Sequence, residues 1–121
     1  MSLAVKRAYE DASPDDGARV LVDGLWPRGL SKEKLKLAEW MKAIAPSAAL
    51  RKWYGHKPEK WEEFRRRYRE ELSKPPRREL LGALARRARR EKVTLVIGAR
   101  DAERANGAVL AELIREKGKR G

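Results

Sequence analysis

Three short stretches hold the residues able to do chemistry. The first, LVDGLWPRG at residues 21–29, sets a carboxylate (Asp23), an indole (Trp26) and a guanidinium (Arg28) after the apolar run Val20, Leu21, Val22. Short apolar runs bounded by turn residues read as buried strands. Open α/β sheets carry their sites just past the carboxyl ends of such strands. The second stretch, RKWYGH at 51–56, gathers Arg51, Tyr54 and the chain's single histidine, His56, beside a glycine. The third, GARDAERAN at 98–106, brings Arg100, Asp101 and Asn106 to the end of another apolar run.

Together these residues suit anion recognition. A helix amino end has unpaired N–H groups and a positive pole, and arginine offers a bidentate fork to phosphate or carboxylate. The predicted anion holders are Lys6, Arg7, Arg28, Arg51 and Arg100, with Tyr9, Trp26, Tyr54, Asp101 and Asn106 completing the candidate ligand-binding set. Asp23 and His56 are the proton-handling groups if chemistry occurs, and Asp23 is the better candidate for a general base. Asp23 also reads as a structural counter-ion to Arg7, Arg28 or Arg100, since buried ion pairs need no function; with so many arginines near, their charge is expected to depress its pKa. Asp101 reads as a helix cap sooner than a catalytic acid, Trp26 as a packing residue sooner than a stacking platform, and a lone histidine such as His56 is ordinarily a satisfied surface residue. Asn106 is the only Asn, and Gln is absent; a lone retained amide suggests a hydrogen-bonding task.

Composition narrows the classes further. The 121 residues suit one domain. With no Cys, disulfides, thiolate zinc sites and a cysteine nucleophile are excluded. No Ser sits in a nucleophile elbow and no phosphate loop is present, so no cofactor and no metal are expected. No apolar run approaches the roughly 20 residues of a membrane span, and the first residues lack a signal-peptide core. The expectation is a cytoplasmic protein with no membrane partner. Thirty basic residues against 18 acidic ones leave a net charge of +12. The density of Arg, Lys and Glu with few amides is thermophile-like. The net positive excess favours a polyanion, either an anionic small molecule or nucleic acid.

The elements that must position these residues can be read in outline. Strands are predicted at 3–9, 19–25 and 93–97. Ser31 is expected to cap a helix reaching Ile44, since Leu37, Trp40, Met41 and Ile44 fall on one helical stripe. Ser47 starts a short helical turn, and Gly55 to Pro58 is a loop. Helices are predicted over 59–72, with Trp61, Phe64, Tyr68 and Leu72 inward, and over 77–91. Asp101 is expected to cap a last helix over 102–117 that Gly118 ends, with Lys117, Lys119 and Arg120 near its negative pole. The long helical crossover between the second and third strands argues for parallel pairing. The predicted fold is a single α/β domain, a small and mostly parallel sheet of three or more strands with helices packed on it.

The segments KRAYE at 6–10, DDGARVLVDGLWPRGLSK at 15–32, IAPS at 44–47, LRKWYGH at 50–56 and VTLVIGARD at 93–101 resemble the YeaO-like family of DUF488 domains, in register over nearly the whole chain. The resemblance implies a small cytoplasmic α/β protein of unestablished activity. It also marks departures: the family commonly has Arg at the position of Gly24 and Tyr at that of Ile97, and often His at that of Arg104. Gly24 then removes a guanidinium and Ile97 a phenol from the presumed site, while Arg104 could return a positive charge. The function expected is binding of a phosphate-bearing or other anionic ligand at the carboxyl ends of the strands. The alternatives are a nucleic-acid-binding accessory protein using basic helix faces, or a small hydrolase or transferase with Asp23 as base.

Overall fold

The computed structural model describes residues 2–119. Four strands, β1 (Leu3–Arg7), β2 (Ala18–Leu21), β3 (Glu39–Trp40) and β4 (Val93–Ile97), form one sheet in the order β1-β4-β2-β3. Every pairing is parallel, with Val5 opposite Leu95 and Val20 opposite both Leu95 and Glu39. All four carboxyl ends therefore lie along one edge. Five helices accompany the sheet: α1 (Lys32–Leu35), α2 (Ala48–Tyr54), α3 (Trp61–Leu72), α4 (Arg77–Arg90) and α5 (Asn106–Lys119).

The two faces of the sheet differ. On one, Val20, Val22, Val93, Leu95 and Ile97 pack with Leu50, Phe64, Tyr68, Leu84, Leu110 and Ile114 of α2 to α5 in the main core. The other face carries a smaller cluster, Ala8, Leu21, Leu35 and Val96, roofed by Trp26, Leu30 and Leu37. Beside it lies a polar group. Asp16 accepts from Arg19 Nη1 at 2.7 Å, Lys6 Nζ at 3.2 Å and Ser13 N at 2.9 Å. Among the described residues no helix is long and apolar enough to cross a membrane.

Several expected boundaries change. The second strand stops at Leu21 rather than running to Leu25. The helix expected from Ser31 to Ile44 is one turn only. Ser31 does cap it, accepting from Lys34 N, but Lys36 adopts a left-handed conformation (φ 48°) and closes it. The chain then joins the sheet, with Ala38 N donating to Arg19 O and Met41 N to Leu21 O, each at 2.8 Å. These sheet bonds outweigh the helical spacing of the apolar residues. Asp101 caps a 3₁₀ turn (Ala102–Arg104), not the last helix, which begins at Asn106 and continues through Gly118 to Lys119. Arg120 lies outside the described residues.

Candidate functional site

The carboxyl edge of the sheet opens into a cleft of about 220 Å³ lined by Asp23, Gly24, Leu25, Pro46, Arg51, Tyr54, His56, Phe64, Gly98, Ala99, Ala105 and Asn106. It is built from the chain leaving β2, the chain leaving β4, the end of α2 and the start of α5.

Asp23 stands at its centre. Its Oδ2 accepts from Gly98 N at 2.8 Å, and its Oδ1 accepts from Asn106 Nδ2 at 3.1 Å. Asn106 also donates to Val22 O at 3.0 Å. The lone amide thus ties the start of α5 to the exit of β2, the task its retention suggested. Gly98 comes so close that a Cβ there would lie 3.2 Å from Asp23 Oδ2. The expected ion pairs of Asp23 with Arg7, Arg28 or Arg100 do not form. The expected depression of its pKa is reversed as well. Burial pushes the carboxyl above its ordinary value; the Gly98 and Asn106 hydrogen bonds and the charges of His56 and Arg51 oppose this without overcoming it.

Arg51 comes from α2, whose amino end is held by Ser47, accepting from Leu50 N at 3.2 Å. Ser47 is in turn gripped by Glu71 of α3 through its N and Oγ, at 2.9 and 2.6 Å. The Arg51 guanidinium lies over Gly24, where a Cβ would sit 3.0 Å from Nη1 and 3.1 Å from Cζ. Its buried Nε has no hydrogen-bond partner, and among the described residues it joins no carboxylate. Tyr54 stacks on Phe64 with ring centroids 4.2 Å apart and donates its hydroxyl to Arg104 O at 2.6 Å. Burial raises the Tyr54 phenol pKa; Asp101 adds to this and Arg104 opposes it. Gly55 and His56 both take positive φ, 54° and 57°. That double left-handed turn swings the exposed His56 back over Tyr54, with ring centroids 6.0 Å apart.

Of the residues singled out from the sequence, Asp23, Arg51, Tyr54, His56 and Asn106 meet in this cleft. Arg100 and Asp101 line an adjoining recess that shares Tyr54, His56, Gly98 and Ala99. Asp101 is engaged there with Glu103 N and Arg104 Nη1. The others lie elsewhere. Lys6 is bound to Asp16 on the second face. Arg7 reaches the same edge of the sheet but donates to Ala99 O at 3.2 Å. Tyr9 donates its hydroxyl to Arg28 O, and Trp26 donates to Leu30 O and packs edge-on against Trp40. These bonds knit the loop after β2 together, and the Arg28 side chain is not among those lining the cleft. Sequence reasoning missed Pro46 and Phe64 as walls, because Phe64 sits at core spacing and is core as well. It also missed the Gly98 N–H, a backbone donor that no residue type announces.

A family model described as the inactive DUF488-N3 subclade matches residues 2–121. The chain belongs to this DUF488 family. Within it, the chain is similar to the uncharacterized protein Rv3073c of Mycobacterium tuberculosis (strain H37Rv), 46% identical over 110 residues and 91% of each chain. It is also similar to the uncharacterized protein YeaO of Escherichia coli K12, 39% identical over 116 residues, 95% of this chain and 98% of that one. No solved structure matches at a significant level. Of the three positions that the resemblance singled out, Gly24 lines the cleft, Arg104 lines the adjoining recess and Ile97 lines neither. Gly24 leaves the space that Arg51 fills. Ile97 is fully buried, its Cγ2 against Gly107. Arg104 pairs with Asp101 at 2.9 Å rather than presenting a free charge.

Proposed function

We propose that the cleft binds a small ligand carrying an anionic group on an apolar body, and that this chain holds the ligand without chemically altering it. The observation that carries the reading is Arg51, a guanidinium laid across Gly24 into a cleft, with no carboxylate bound to it among the described residues. His56 stands at the mouth, and Leu25, Pro46, Tyr54, Phe64, Ala99 and Ala105 supply apolar wall. A guanidinium in such surroundings holds phosphate or carboxylate more firmly than it would in open water.

Two facts favour binding over turnover. Asp23, a better candidate base than the exposed His56 beside it, already accepts on both carboxylate oxygens, from Gly98 and Asn106, which favours a framework role. The family model is itself described as an inactive subclade. Titration calorimetry with phenyl phosphate and inorganic phosphate tests the reading. Phenyl phosphate should bind more tightly, because only it can use the apolar walls. Arg51→Ala should weaken it by about 10-fold or more, the loss expected for charge-assisted hydrogen bonds of about 1.5–3 kcal/mol. No phosphate should be released on prolonged incubation. Equal binding to wild type and Arg51→Ala would refute the site, and phosphate release would refute the non-catalytic reading.

A further inference from the structure

The charge of +12 is unevenly spent. Along α3 the arginines are largely neutralised: Arg65 and Arg69 by Glu112 and Glu116 of α5, Arg66 and Arg67 by Glu63. The opposite holds at the amino edge of the sheet, remote from the cleft. There the carboxyl ends of α4 and α5 come together, with Arg89 Nη2 donating to Lys117 O at 3.3 Å and Arg115 Nη2 to Leu3 O at 3.4 Å. The starts of β1 and β2 adjoin them, through Ser2 N to Ala88 O and Ala18 N to Lys92 O. This brings Arg89, Arg90, Lys92, Arg115 and Lys117 onto one end of the molecule, and Arg86 flanks them farther back along α4, its guanidinium beside Gly82. Among the described residues none of the six joins a carboxylate.

Structural needs do not use up this charge. Two helix carboxyl poles together amount to about one negative charge. Glu91 adds one more, although it is already engaged by Arg87, and Glu116 is turned to Arg69. A surplus of about four positive charges remains. Among the described residues no exposed large apolar side chain accompanies it: Tyr9, Leu25 and Trp40 lie at or beyond the carboxyl ends of β1, β2 and β3. Stable seating on a membrane and a protein hot spot both call for an apolar anchor beside the charge. Single strands call for stacking aromatics. A duplex backbone needs neither, only arginine forks and lysines at its phosphates.

We propose that this amino edge, Arg86, Arg89, Arg90, Lys92, Arg115 and Lys117, is a docking surface for the phosphodiester backbone of a nucleic-acid duplex. Contacts to phosphate carry no sequence information, so binding is expected to be independent of sequence. It is independent of the cleft, so ligand and duplex can be held at once on opposite ends of the sheet.

The test is fluorescence anisotropy with labelled DNA and RNA duplexes of unrelated sequence, titrated with salt. A patch variant carries Arg86→Ala, Arg89→Ala, Arg90→Ala and Lys117→Ala, all at exposed positions. A charge-matched control carries Lys32→Ala, Lys52→Ala, Lys57→Ala and Lys74→Ala, also exposed but away from this edge. Wild type should bind at least one duplex type with affinity falling steeply in salt. The patch variant should lower the log–log salt slope by up to about 3.6, at about 0.9 for each of four phosphates no longer neutralised, and weaken binding at low salt by at least about 30-fold. The control should keep most of both. Equal losses in the two variants would mean net charge alone is at work and would overturn the proposal. So would failure to bind either duplex, or tighter binding to phosphatidylserine vesicles or polyglutamate than to duplex. Circular dichroism of both variants confirms that they are folded.

Discussion

Replacing Asp23 by asparagine separates framework from counter-ion. The change keeps the side-chain shape and removes the charge. In the wild type, Oδ2 takes the Gly98 N–H at 2.8 Å and Oδ1 takes the Asn106 amide at 3.1 Å. An asparagine has one oxygen. If it keeps Gly98, its own amide faces Asn106, which must turn its oxygen inward and give up the 3.0 Å bond to Val22 O. A carbonyl left without its donor costs about 1–3 kcal/mol. Two things offset this: no ion pair is lost, and the desolvation that holds the Asp23 pKa up is relieved. The expected net destabilisation at neutral pH is about 1 kcal/mol, well below the roughly 3–5 kcal/mol that follows loss of one partner of a buried ion pair. Urea unfolding of wild type and Asp23→Asn across the acid and neutral range measures it. The folded-state pKa lies above the unfolded value of about 3.9, so the folded protein holds this proton more tightly. The stability Asp23 contributes is therefore fully present below the unfolded pKa and is lost as pH rises through the folded one. The gap between wild type and variant should be widest in acid and narrow toward neutrality. A gap that widens with pH, reaching more than about 3 kcal/mol, would show a stabilising anion and refute this account.

Gly107→Ala should lower the melting temperature, because the new Cβ would stand 2.9 Å from Ile97 Cγ2 and 3.1 Å from Val5 Cγ1. Overpacking of about 1–3 kcal/mol outweighs a helix-propensity gain of at most about 1 kcal/mol; a raised melting temperature by calorimetry would contradict the close approach of α5 to the sheet. Asp16→Asn should cost about 3–5 kcal/mol by urea unfolding at neutral pH, since it strips the carboxylate from Arg19, itself 3% exposed. Burial alone would raise the Asp16 pKa, but hydrogen bonds from Ser13 N–H, Lys6 and Arg19 hold it below the ordinary value. Its contribution is therefore present above the unfolded pKa and lost as pH falls through the folded one, so the variant should approach wild type in acid; a gap independent of pH would count against the pair.

What could be read from the sequence followed from period and punctuation. The run at Val93–Ile97 has no competing periodicity, and α3 and α4 carry uninterrupted helical spacing between breakers. The segment after Ser31 misled because Leu37, Trp40, Met41 and Ile44 satisfy a helical stripe, while Ala38 and Met41 donate to β2, Trp40 pairs with Leu21, and Ile44 ends a 3₁₀ turn on Met41 O. Tertiary pairing overrides local pattern in such a case. The site divides the same way. Asp23 at a strand end, the solitary Asn106 and the RKWYGH cluster were visible as residue types. The Gly98 N–H was not, nor was the fact that Gly24 leaves room for a guanidinium from α2, since both depend on how distant segments approach. Lys6 was misplaced for a related reason: strand residues alternate between faces, and nothing in its neighbours shows that its own face holds Asp16.

The strand order has a consequence for how the chain is made. β1 borders β4 alone, and Val5 meets Leu95 across 90 positions of sequence. At translation speeds of about 5–20 residues per second, the first strand emerges and then waits roughly 5–20 s for its partner. During that interval β2 and β3 can pair with each other, but the sheet lacks its middle. The last quarter of the chain must therefore thread its apolar strand between two elements already outside the ribosome, and α5 must then close over it. Folding of this kind, dominated by the two distant pairings of β4 with β1 and β2, is slow for its size. A charged, amide-poor exterior that keeps unfinished chains apart suits such a wait.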